Sequence, residues 1–175
     1  MYSLTHMTES WVAQGDLGKL SDSPEARCWL SERGSLTLRL RQHYPELAVR
    51  VLGEGASRLL PDEAQRLGLA PGSPAWVREV TLHASGLELV AARSAIPHWS
   101  PDNPWHEVQR LGTRALGELL FNDPVLERSD FEFMLGVGWR RHGSSHSELR
   151  LARRCLYHRH GAPLLLTERF LQIAA

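Results

Sequence analysis

Two arginines and one glutamate stand where the pattern of the chain calls for apolar residues. In residues 76–96, WVREVTLHASGLELVAARSAI, two strand-like runs flank Ser85-Gly86, with Arg78 in the first arm and Arg93 in the second. A two-residue turn there sets Ala84 against Leu87 and Arg78 opposite Arg93. Alternation then predicts one face of Trp76, Arg78, Val80, Leu82, Leu87, Leu89, Ala91, Arg93 and Ala95, and a wetter one of Glu79, Thr81, His83, Glu88 and Ser94. Like charges in register repel, and a buried charge without a partner is costly. An anion is therefore expected between the two guanidinium groups. It is either a structural carboxylate from the covering helices or a carboxylate-bearing ligand, which the guanidinium fork matches with paired hydrogen bonds.

The same alternation puts Glu168 on a face with Leu164, Leu166 and Phe170. A buried glutamate that neutralises Arg78 or Arg93 explains both anomalies at once. One carboxylate against two arginines nonetheless leaves net positive charge, which suits a small dianion.

The elements that must position these residues are legible in outline. Ser23-Pro24-Glu25 reads as a helix start with serine as cap and proline at the first helical position, after a polar arm over residues 1–23 that is expected to be loosely ordered. A second helix is expected from about Ser35 to Tyr44, with Leu36, Leu40 and Tyr44 on one side. A short strand over Leu47–Leu52 is broken by Gly53 and Gly55, and Pro61–Gly68 reads as a capped helix. Helical turns with Val108, Leu111, Leu116, Leu119 and Leu120 follow the hairpin. Strand-like runs at Asp130–Leu135, Ser147 to about Tyr157, and Pro163–Leu171 complete the pattern. Hairpin-linked strands with helices in two blocks predict an α+β fold: a single domain over 24–175, an antiparallel sheet covered by helices on one face and enclosing a buried ligand pocket.

Composition narrows the classes of function. A chain of 175 residues with 42% hydrophobic content can bury one substantial core. Twenty basic residues balance twenty acidic ones, so no overall field draws it to nucleic acid or an anionic membrane. Only Lys19 among the basic residues is lysine, which weakens any single arginine as a signal. Two cysteines, Cys28 and Cys155, form neither a disulfide framework nor a zinc spacing. The N-terminus shows no signal-peptide pattern, and no apolar run approaches the roughly 18 residues of a membrane span. A cytoplasmic monomer is expected, without nucleic-acid partner or membrane insertion.

Taken together, WVREVTLHASGLELVAARSAIP, LGTRALGELLF and ARRCLYHRHGAPLLLTERFL resemble the chorismate lyase (chorismate pyruvate-lyase) family, in order, across roughly residues 28–171. The resemblance implies conversion of chorismate to 4-hydroxybenzoate and pyruvate at the head of ubiquinone synthesis, with no metal and no redox cofactor. It implies that Arg78 holds the ring carboxylate, that Glu168 reaches the ring hydroxyl, and that Arg93 serves the enolpyruvyl end as a catalytic residue. It also implies that Leu36, where the family often has methionine, and Leu116 line the substrate pocket, and that the segments around them act as flaps. Residues 136–146 are longer than the family pattern, and their Arg140-Arg141 pair competes in alignment with Arg153-Arg154.

Other signals are set aside. His158 and His160 share a strand face, and His142 and His146 flank a loop, without a third ligand at a metal spacing. Arg150, Arg153, Arg154 and Arg159 are expected on a solvated strand face with ion pairs. Trp99 and Trp105 are expected to anchor a proline-rich loop, and Cys155 to be an inert thiol. The rival reading is a sensing domain for an aromatic carboxylate, like the effector modules of some transcription regulators. The roughly 25 residues before the first helix are too few for a helix-turn-helix domain.

Overall fold

The computed structural model describes residues 10–121, 123–137 and 149–172. The chain runs through β1 (Val12–Ala13), α1 (Pro24–Leu30), α2 (Leu36–His43), β2 (Ala48–Arg58), α3 (Pro61–Leu67), β3 (Pro74–Ala84), β4 (Leu87–Pro97), α4 (Leu116–Leu120), β5 (Glu127–Arg128), β6 (Glu132–Val137), β7 (Leu149–Arg159) and β8 (Ala162–Phe170). Of the unusual 136–146 stretch, everything beyond Val137, including His142 and His146, lies outside the described residues.

Helix starts follow from capping chemistry. The Ser23 and Ser35 hydroxyls each accept from the backbone N–H three residues on, Ala26 and Leu38, both at 3.2 Å. α3 begins at Pro61 and ends at Gly68, whose φ of 69° is the left-handed conformation that glycine adopts without strain. β2 is longer than the glycines suggest, because pairing with β3 carries it past an irregularity between Val51 and Gly53.

The strands form one antiparallel sheet in the order β1-β6-β7-β8-β4-β3-β2, with β5 alongside the far end of β7. This is the expected α+β domain. Among the described residues, α1, α2 and α4 bury Leu30, Leu36, Leu40, Leu116 and Leu120 against the sheet residues Leu82, Leu164 and Leu166. α3 instead lies against the opposite face, where Leu59, Ala64, Ala75, Val77 and Ala95 form a smaller cluster.

The hairpin corrects the expected register. Ser85 and Gly86 both have positive φ, 50° and 77°, as a two-residue turn matched to strand twist requires. Ala84 does pair with Leu87, and His83 with Glu88. The next pair is Leu82 with Val90, so Leu89 is an extra residue on β4. Such a bulge inverts the parity of every residue beyond it. Arg78 consequently stands opposite Ser94, and Arg93 opposite Glu79. Arg93 therefore leaves the sheet on the face away from Arg78, in contrast to the expected opposed pair.

A second correction concerns β7, which lies between β6 and β8 and is covered on both faces. Arg153, Arg154 and Arg159 are buried rather than solvated. They are ion-paired, to Glu168, Glu132 and Asp123 respectively.

Candidate active site

Register alone assembles the site. Arg78 pairs with Ser94, Ser94 with Leu166, Ala92 with Glu168, and Glu168 with Arg153, so these side chains share the face under α1, α2 and α4. The stretches Gly34–Thr37 and Ala115–Gly117 close over that face. They enclose a cavity of about 40 Å³ lined by Leu36, Arg78, Ala92, Ser94, Leu116, Arg153, Tyr157 and Glu168 among others. That volume holds water, whereas pockets for small organic ligands span about 300–1,000 Å³. A ring-sized ligand therefore requires the covering segments to move outward.

Arg78 is 1% exposed. Its Nη2 donates to the carbonyls of Gly112 at 2.7 Å and Arg114 at 3.0 Å, which ties the loop before α4 to the sheet. Among the described residues its buried Nε makes no hydrogen bond, and Oε2 of its cross-strand neighbour Glu54 stands 3.5 Å away. Burial pulls the guanidinium below the usual arginine range, and Glu54 only partly opposes this. The result is a desolvated cation in the cavity wall, only partly compensated by Glu54, and a carboxylate ligand binds strongly to such a group.

Glu168 extends from β8 into the same cavity. Its Oε2 accepts from Arg153 Nε at 2.6 Å, not from Arg78 or Arg93. Arg153 in turn donates from Nη1 to the carbonyls of Leu30 at 3.1 Å and Glu32 at 2.7 Å. Below them Cys155 and Tyr157 follow on the same strand face. Burial, aided by Glu168, pushes the Cys155 thiol up to about 12, and burial with Cys155 beside it likewise raises the Tyr157 phenol. Both stay protonated at neutral pH, and Tyr157 is one of the cavity's lining residues.

Of the residues singled out in the sequence, the structure brings together Leu36, Arg78, Leu116 and Glu168. It does not bring Arg93 to them. Arg93 donates from Nε to Glu63 Oε1 at 2.6 Å, from Nη1 to Glu79 Oε1 at 2.7 Å, and from Nη2 to Glu63 Oε2 at 3.2 Å and the Arg58 carbonyl at 3.1 Å. Burial lowers this guanidinium's pKa, but Glu63 and Glu79 more than reverse the effect and leave it above its ordinary value. Arg93 is thus a cation with all three of its nitrogens hydrogen-bonded, anchoring α3. The second cavity arginine is Arg153, and Tyr157, four residues along the same strand, also lines the cavity; neither is expected there from the sequence. The signal was present: a two-residue turn at His160-Gly161 pairs Arg153 with Glu168. Among the described residues no three His, Cys, Asp or Glu side chains group to hold a metal ion, and no helix is long and apolar enough to cross a membrane.

Comparison with known proteins gives the family and the fold of the chain. Residues 7–174 match the family described as Chorismate lyase. The chain is 33% identical to the "Probable chorismate pyruvate-lyase" of Hydrogenovibrio crunogenus, over 97% of this chain and 96% of that protein. It is 40% identical to the protein of the same name from Thiobacillus denitrificans, over 83% and 81%. Among solved structures it resembles the effector domain of PhnF from Mycobacterium smegmatis, with TM-score 0.53 and 11% identity, over 79% of this chain and 89% of that one. A PhnF C-terminal domain gives TM-score 0.55 at 16% identity, over 75% and 86%. At such identities the likeness is one of fold.

Proposed function

The chain belongs to the chorismate lyase family, and we propose that it converts chorismate to 4-hydroxybenzoate and pyruvate, the entry step of ubiquinone synthesis, as a cytoplasmic monomer. The observation that supports this reading best is the placement of Arg78: a guanidinium 1% exposed in the wall of a cavity that also holds Glu168 and Arg153. A ring carboxylate on Arg78 and a ring hydroxyl donating to Glu168 fix an aromatic ring at both ends.

The chemistry needs no atom from outside the substrate. The bond between the ring carbon and the enolpyruvyl oxygen breaks with its electron pair going to oxygen. The ring C–H proton is lost, the ring becomes aromatic, and a proton reaches the methylene carbon of the departing enolpyruvate to give pyruvate. The atoms balance without metal or redox cofactor. The protein's part is orientation and charge: holding both ends of the ring in an apolar cavity converts binding into alignment for elimination. Leu36 and Leu116 exclude water from the ring. Arg93, matched to Glu63 and Glu79 on the other face, has no place in this scheme.

The test is to incubate purified protein with chorismate in the presence of a chelator and to follow both products. Equimolar 4-hydroxybenzoate and pyruvate are expected, with kcat/KM reduced about 100-fold or more in Arg78→Met and Glu168→Ala. Binding of 4-hydroxybenzoate without turnover of chorismate would assign the cavity to a sensing domain and remove the enzymatic reading.

A further inference from the structure

Arg153 occupies a position that burial alone does not explain. It is 3% exposed on a central strand, its guanidinium carbon lies 4.5 Å from the centre of the Phe131 ring and 5.8 Å from that of Phe170, and its donors run to two places. Nε holds Glu168 at 2.6 Å, and Nη1 holds the carbonyls of Leu30 and Glu32. Leu30 ends α1, and the chain from Glu32 runs straight into Gly34–Thr37, part of the cavity's cover.

We propose that Arg153 is a positioning residue that fixes the Glu168 carboxylate in the cavity and registers it to the covering segment between α1 and α2. The inference rests on the reading of the cavity given above and assigns to it a residue that acts through Glu168. A glutamate has three rotatable bonds, and a short charge-assisted hydrogen bond removes that freedom at the carboxylate. The donor is itself clamped by the two carbonyls, so Glu168 holds its geometry only when the cover is seated. Planarity matters here: a lysine supplies the charge at a point but lacks the fork that serves the carboxylate and the carbonyls together.

The experiment compares 4-hydroxybenzoate with benzoate, which lacks the ring hydroxyl, by titration calorimetry on the full chain. Wild type is expected to prefer 4-hydroxybenzoate by about tenfold or more, the effect of one hydrogen bond to a charged acceptor. Glu168→Gln reduces that preference. Arg153→Met reduces it to the same extent, and the double variant no further, as for two residues acting as one unit. Arg153→Lys falls between. A purely structural Arg153 would weaken both ligands alike and lower the unfolding midpoint while the preference stayed, and that result overturns the proposal. If Arg153→Met does not fold, Arg153→Lys decides: a reduced preference supports the role, and an unchanged one removes it. A wild-type protein that turns over no chorismate and binds the two ligands equally would instead remove the functional reading itself, an outcome distinct from both.

Discussion

Arg78 and Arg93 lie on adjacent strands of one hairpin, yet they do opposite things because one extra residue, Leu89, separates their faces. Arg78 lies in the cavity wall with Glu54 3.5 Å from its Nε, whereas Arg93, on the other face, meets Glu63, Glu79 and a backbone carbonyl. The buried pair of Arg93 and Glu63 joins β4 to α3, and Glu63 also accepts from the Leu60 backbone N–H at the start of that helix. Removing one partner of such a pair leaves an uncompensated charge, a loss of about 3–5 kcal/mol. Glu63→Gln should fall near the lower end, because Glu79 remains. Denaturant unfolding is expected to show the midpoint moving down, while kcat for chorismate per folded molecule stays within about twofold. A large drop in kcat at unchanged stability would return Arg93 to the chemistry.

Two covering segments are tied to the sheet by the same device, a cavity arginine donating to backbone carbonyls. Arg78 holds the loop at Gly112 and Arg114, and Arg153 holds the turn at Leu30 and Glu32. The closed cavity is too small for an aromatic ring, so α2 and α4 must part for ligand to enter and are then held by it. Saturating 4-hydroxybenzoate is expected to slow amide hydrogen exchange over Leu36–His43 and Leu116–Leu120 by roughly the ratio of ligand concentration to Kd, with little change in β3 and β4. Uniform slowing across the sheet would mean that the covers do not open separately. These elements were largely legible in the sequence, because serine caps, Pro24, Pro61, Gly68 and the Ser85-Gly86 turn each have a local physical cause. That Leu36, Arg78, Leu116 and Glu168 lie around one cavity was legible for a related reason: a charge out of place in a periodic pattern, or a position singled out by the family resemblance. The bulge at Leu89 was not legible, since its cause lies in strand pairing rather than in any residue type. Arg153 was hidden among neighbouring arginines, and only the burial of successive β7 residues shows that the strand is covered on both faces.

At the scale of the whole molecule, the sheet is a scaffold that the chain shares with regulator effector domains at 11–16% identity. One face of that sheet carries a set of ionisable groups in this protein. The thiol of Cys155 and the phenol of Tyr157 are buried side by side under that face, and the fold favours the protonated form of both. A group whose pKa is raised on folding stabilises the native state fully below its ordinary pKa, and that contribution disappears as pH climbs through the folded value. For Cys155 the window runs from 9.0 to about 12, and Tyr157 adds to it in the same direction from 10.0 upward. The chain has one lysine, three tyrosines and two cysteines in all, so thiol, phenol and amine side chains are few. Stability should therefore be flat from pH 7 to 9, then fall by about 1.4 kcal/mol per pH unit for each group being forced to ionise. Urea midpoints at pH 8, 9.5 and 11 measure the slope. Tyr157→Phe removes one ionisation while keeping the ring, and adding Cys155→Ala removes the other, so the double variant should start less stable at pH 8 but lose little more on going to pH 11. An undiminished slope in that double variant would place the alkaline sensitivity outside the cavity floor, and the burial assigned to this pair would have to be revised.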